Sequence, residues 1–79
     1  MRERLRELAG DAFGVAVAEV PDDASPEVLP QWDSLNHIEL MLALELEYGV
    51  QISSEVLPEL LSLGAIEEYL HEQGVNGVR

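Results

Sequence analysis

Ser34 has the strongest claim to chemistry of any residue in this chain. It follows Asp33 and opens a run, Leu35 to Tyr48, that holds neither glycine nor proline. That places it at the head of a helix for which Asp33 is the N-cap. If its hydroxyl were esterified with phosphate, the anion would sit against the unsatisfied backbone N–H groups at the positive end of that helix. A serine beside an aspartate at a helix start is also explained as a cap and nothing more. The carboxylate of Asp33 would repel a phosphodiester, so Asp33 needs a purpose of its own: capping, or contact with a basic modifying enzyme or its metal.

The other chemistry-bearing residues form no constellation. His37 has no nucleophile and acid partner at a recognisable spacing and reads as a half-buried packing residue beside Leu40 and Leu44. His71 reads as solvated. The pairs Asp22-Asp23 and Glu67-Glu68 lack the alternating acid and glycine pattern of a calcium loop. With no cysteine and two histidines, no metal site is expected. Without a cofactor loop, and with little room for a pocket in so short a chain, catalysis is not expected either.

Helices must position Ser34. Leu5, Leu8, Ala9, Ala12 and Phe13 follow the i, i+3, i+4, i+7, i+8 pattern of one buried face, which predicts a helix over about 2–13 ended by Gly14. Pro21, Pro26 and Pro30 then forbid a long element across Val15 to Asp33. Structureless loops of more than about 12 to 15 residues are uncommon unless tied down, and Val15, Val20, Val28 and Leu29 are the candidate anchors, with a short turn of helix near Pro26 to Leu29. The second helix runs over about 34–48, stopped by Gly49. After an extended crossing at Val50 to Ile52, Ser53 and Ser54 can cap a short helix over about 55–61, limited by Pro58. Ser62 caps a last helix over about 62–73, ended by Gly74, and the tail from 74 to 79 is expected to fray. The fold class is therefore all-α: one domain over 1–79, a small four-helix bundle of three main helices plus one short helix, with a long first loop.

On a wheel at about 100° per residue, the second helix carries two apolar stripes. Leu40, Leu44 and Tyr48, with Met41 beside them, form one. Leu35, Ile38, Leu42 and Leu46 form the other, with Ser34 at its head and Glu39 and Glu45 on its flanks. A bundle this small usually buries only one such face, so one stripe is expected to pack inward and the other to be at least partly exposed; an exposed strip beside carboxylates and headed by a hydroxyl has the makings of a docking surface. Burial of both stripes, with the long loop over the second, is the alternative.

Charge narrows the partners. Sixteen carboxylates against four arginines and no lysine give a net charge of -12, so phosphate backbones are repelled and nucleic acid is excluded. Basic protein surfaces are the complement. Nowhere do eighteen apolar residues follow one another, so membrane insertion is not expected and a cytoplasmic monomer is. A composition that is 47% hydrophobic, arranged periodically, argues against disorder.

The residues Asp33-Ser34-Leu35, followed by Ile38-Glu39-Leu40 and Ala43-Leu44-Glu45, resemble the acyl carrier protein family. The likeness extends from Leu5 to about Leu70 and takes in Gly14-Val15, Val20, Ala24-Ser25, Ile52 and Ala65 to Leu70. It implies a carrier rather than an enzyme, with 4′-phosphopantetheine from coenzyme A attached to Ser34 by a separate, magnesium-using phosphopantetheinyl transferase. Acyl groups would ride on that arm as thioesters, and the absence of cysteine leaves no protein thiol to compete. Asp33 and Leu35 flank the attachment point. The resemblance further implies that loading and processing enzymes with basic docking surfaces recognise Leu35, Ile38, Glu39, Leu42, Glu45 and Leu46, which are the second stripe and its flanking acids.

The chain departs from the family pattern at Trp32, where a small residue after glycine is common, and at Asn36, where an acid is common. The form Trp-Asp-Ser-Leu looks like free-standing carriers of specialised fatty-acid, polyketide or related pathways rather than the housekeeping fatty-acid carrier. Trp32 either lies over the arm or partner surface or packs on the fold as a staple. By the same resemblance Tyr69, Leu44, Ile52 and Ile66 would line a cavity for an acyl chain, and ordinary core packing is the alternative for all four. Two further readings stand beside the acyl carrier: an aminoacyl or peptidyl carrier, and an unmodified acidic adaptor that binds a basic protein through the second helix.

Overall fold

The computed structural model describes residues 1–75. Three α-helices carry the fold: α1 (Arg2–Phe13), α2 (Ser34–Tyr48) and α3 (Leu63–Glu72). Two single 3₁₀ turns, Val17–Glu19 and Leu57–Glu59, lie in the connections, and among the described residues there is no strand. The architecture is a small helical bundle in which α1 packs on both α2 and α3.

Local chemistry sets the helix ends. Gly14 and Gly49 close α1 and α2 at φ of 74° and 66°, a left-handed conformation that costs glycine no Cβ clash. Asp33 caps α2 through its side chain and Ser62 caps α3 by accepting the N–H of Ala65. At the other end of α3 the N–H of Val75 reaches back to the carbonyl of Leu70 and its side chain packs on the core. Of the tail expected to fray from residue 74, Gly74 and Val75 are bonded back to α3, and 76–79 lie outside the described residues.

The core is assembled from one face of each helix: Leu5, Leu8, Ala9 and Phe13 of α1, Leu40, Met41 and Leu44 of α2, Leu63, Ile66 and Leu70 of α3. Each fully buried leucine among them contributes on the order of 1.5 to 3 kcal/mol of transfer free energy. The long first loop is not loose. Val20, Ala24, Leu29 and Trp32 turn into the core, and Arg6 and Arg2 of α1 hold its backbone from the other side. Arg6 donates to the carbonyls of Val20 and Val17 at 2.7 and 3.0 Å, and Arg2 to that of Asp22 at 2.9 Å. The N–H of Leu63 bonds to the carbonyl of Ala24, which ties the loop to α3.

Three expectations need correction. The short helix over 55–61 is only the 3₁₀ turn Leu57–Glu59, because Pro58 sits at its start and no side chain caps it. Neither Ser53 nor Ser54 caps it through a hydroxyl; the carbonyl of Ser53 accepts the N–H of Val56 instead. Val28 is 59% exposed and anchors nothing, since the turn made by the N–H groups of Val28 and Leu29 on the Ser25 carbonyl points Leu29 inward in its place.

Candidate functional site

The head of α2 is built by the four residues before it. Asp33 is extended, at φ −105° and ψ −175°, which lets its carboxylate accept the N–H of Asn36 at 2.9 Å while its carbonyl accepts that of His37 at 2.8 Å. Asn36 in turn donates through its side chain to the carbonyl of Gln31 at 2.8 Å, so the approach to the helix is held on both sides. Ser34 is the first helical residue and is exposed. Among the described residues no acceptor meets the N–H of Ser34 or of Leu35. Two donors and the helix dipole are therefore free for an anion at this point.

Beneath Ser34 lies a shallow pocket of about 310 Å³ lined by Pro26, Trp32, Asp33, Ser34, His37 and Leu61. Trp32 forms its floor, being only 3% exposed and tilted against Phe13 with ring centres 5.3 Å apart. Its indole N–H donates to Nδ1 of His37 at 2.9 Å, and Nε2 of His37 meets the carbonyl of Leu57 at 2.9 Å. His37 is therefore buried and bonded at both ring nitrogens, not a half-buried packing residue. Nothing in the helical pattern could have revealed the Trp32–His37 bond, because it joins a loop residue to a helix across a turn.

The second stripe of α2 faces outward. Leu35, Ile38, Leu42 and Leu46 are 68, 48, 53 and 88% exposed, and the first stripe fills the core, so the loop does not cover both. Glu39 is exposed beside them. Glu45 is placed differently: its carboxylate accepts the N–H of Ile52 at 2.7 Å and the residue is half-buried. Gly49 turns the chain back along the last turn of α2, and that brings Ile52 within reach. Leu61, 43% exposed at the rim of the pocket, extends the apolar surface past Ser34, a neighbourhood invisible to a helical wheel.

The four residues suggested as cavity-lining fall in two different places. Leu44 and Ile66 are fully buried in the packed core, whereas Ile52 and Tyr69 line a surface groove with Glu45, Gln51 and Ser53. Among the described residues no cluster of three or more His, Asp or Glu could hold a metal ion, and no helix is long and apolar enough to cross a membrane.

The site is thus an exposed hydroxyl at a helix N-terminus, beside an unburied apolar stripe on an acidic bundle. A model of the family described as "Phosphopantetheine attachment site" matches residues 3–70. The chain is also 41% identical over 69 residues to Polyketide-8 synthase acyl carrier protein 2 of Streptomyces avermitilis, an alignment covering 87% of this chain and 79% of that one. The chain belongs to the phosphopantetheine-attachment family of acyl carrier proteins. Its prosthetic group is 4′-phosphopantetheine, and its role is to carry, not to catalyse. The head of α2 fits that group: the hydroxyl is accessible, two amides are free for the phosphate, and the pocket beside it is open to solvent.

Proposed function

We propose that Ser34 is the attachment point of the arm and that this carrier delivers acyl intermediates to enzymes of a polyketide or related specialised pathway. The observation that carries the reading is the position of Ser34, the exposed first residue of α2 at the head of the exposed stripe Leu35, Ile38, Leu42 and Leu46. When bound, the group supplies a thiol on which acyl cargo is held as a thioester. The protein's part is to present it. The free amides of Ser34 and Leu35 stabilise the phosphodiester, Asp33 keeps the helix start rigid, and the stripe offers a partner some apolar burial. Glu39 and the overall charge of -12 steer encounters with basic enzyme surfaces and make them fast and reversible. A carrier has to leave each enzyme after delivery, so modest affinity suits it. The polyketide assignment is supported by the likeness to the polyketide synthase carrier of Streptomyces.

The test is intact mass before and after incubation with coenzyme A, magnesium and a broad-specificity phosphopantetheinyl transferase, with Ser34→Ala alongside. One added arm that is absent from the variant is the expected result. A folded chain that gains no mass would overturn the reading and turn attention to an adaptor that uses the same stripe.

A further inference from the structure

We propose that His37 is a positioning residue for the chemistry at Ser34: as a neutral imidazole bonded at both nitrogens, it latches the loop before α2 to the segment before α3, and its protonation opens the pocket under Ser34. The proposal rests on the reading of Ser34 given above for its functional consequence, though not for the latch itself.

The tautomer follows from the partners. An indole N–H can only donate, so Nδ1 of His37, 2.9 Å from the Trp32 nitrogen, is the acceptor. Nε2 then carries the proton and donates to the Leu57 carbonyl at 2.9 Å. Both ring positions are used, and the ring is only 8% exposed. Protonation puts a second hydrogen on Nδ1, where it faces the indole N–H, and two donors cannot share the contact. The Trp32–His37 contact must then break, which releases Trp32. It lies two residues before Ser34, packs on Phe13 and forms the pocket floor, so its movement reaches the N-cap directly.

Of the elements around the ring, α2 carries Glu39, Glu45 and Glu47 with Asp33 at its N-cap, and α1 carries Arg2, Glu3, Arg4, Arg6, Glu7 and Asp11. Glu27 lies in the loop, and Glu55 and Glu59 flank Leu57. Among the described residues none of them forms an ion pair with His37 within 4.0 Å. A charge on this ring would therefore be buried without a direct counterion, so the protonated ring gains by leaving its place. His71 is exposed and serves as an internal reference.

The test uses the full chain without the arm. Trp32 is the sole tryptophan, so its emission reports on the floor of the pocket, and the two imidazoles are followed by NMR from about pH 8 to about pH 5, with circular dichroism to follow the helices. The expected result is a red shift of Trp32 emission that shares its midpoint with His37 and not with His71. His37→Gln, whose amide can accept from Trp32 and donate to Leu57, should hold the emission of the high-pH state throughout. Its rate of modification by the transferase should equal that of the unsubstituted chain near pH 8 and exceed it several-fold near pH 5.5; taking the ratio cancels the pH dependence of the transferase. Emission that stays constant while His37 titrates would overturn the proposal, as would a shift that persists in His37→Gln or a His37 that stays neutral until the helices melt. Should the glutamine variant not fold, Trp32→Phe decides. Loss of the indole donor removes a bond that only the neutral ring can accept, so His37 should take its proton more readily than in the unsubstituted chain, and an unchanged response overturns the latch. Emission and NMR read the same on Ser34→Ala, so a chain that never takes the arm would defeat the reading of Ser34 while leaving the latch testable.

Discussion

The carboxylate of Glu45 holds the backbone N–H of Ile52 at 2.7 Å. That bond makes the end of α2 responsible for the path of the chain that leaves it, and it separates two acids that look alike on a helical wheel. Glu39 faces solvent, whereas Glu45 is a tether.

The two acids should therefore answer differently to substitution. Glu45→Ala loses a charge-assisted bond to a part-buried amide and is expected to cost about 1 to 2 kcal/mol in urea unfolding. Glu39→Gln should leave stability within about 0.5 kcal/mol and instead slow association with a basic partner, more so at low salt than at high.

The two stripes of α2 make a second pair. Leu44→Ala empties a fully buried site and should cost about 2 to 5 kcal/mol. Leu46→Ala, at a position 88% exposed, should shift stability by no more than about 0.5 kcal/mol and weaken partner binding, a contrast that thermal melting and titration against a loading enzyme would read together.

The capping role of Asp33 can be separated from its charge. Asp33→Ala removes the cap on Asn36 and is expected to lose about 1 kcal/mol. Asp33→Asn keeps a good cap while removing the charge, so stability should hold. A fall in the transferase rate with this variant would assign the charge to the modifying enzyme, and an unchanged rate would assign it to capping alone.

Acid titration should single out Glu47. Its carboxyl is held below the usual value by the hydrogen bonds from Arg4, at 2.9 and 3.0 Å. A depressed carboxyl means that the unfolded chain binds the proton more readily. The contribution is thus complete above the unfolded value of 4.5 and is lost as pH falls through the lower folded value. Glu47→Gln should therefore flatten the acid limb of the stability profile, and added salt should blunt the difference because the pair is exposed.

Salt should raise the melting temperature, since sixteen acids against four bases repel one another in the compact state. Among the described residues no acidic cluster is placed to chelate an ion, so magnesium and sodium chlorides at equal ionic strength should act alike. A marked excess for magnesium would reveal a site that the geometry lacks.

Much of this was legible before any coordinates. Apolar spacing and the residues Gly14, Asp33, Gly49 and Ser62 define the three helices, because each of those signals acts within a few residues of itself. Periodicity also divided α2 into two apolar stripes, and the structure shows that Leu35, Ile38, Leu42 and Leu46 are the outward one. What periodicity could not carry were contacts between segments distant in sequence or lacking a period: the burial of Trp32 and its bond to His37, Glu45 reaching Ile52, and Arg6 gripping the loop. Pro58 signalled a limit to the third segment but not its reduction to one 3₁₀ turn, because the missing side-chain cap is visible only in the structure. Ser34 stood out in sequence for its place at a helix start, and the structure adds the free amides and the pocket that surround it.

The exposed stripe also sets a length. Ser34 and Leu46 stand twelve positions apart along one helix, which at roughly 1.5 Å per residue is about 18 Å. An enzyme that grips Leu46 is thereby told how far away the serine stands, and its tunnel mouth must open at that offset. The helix acts as a gauge that each successive partner has to match, so enzymes of unrelated fold serving this carrier should share one distance between docking groove and active-site entrance.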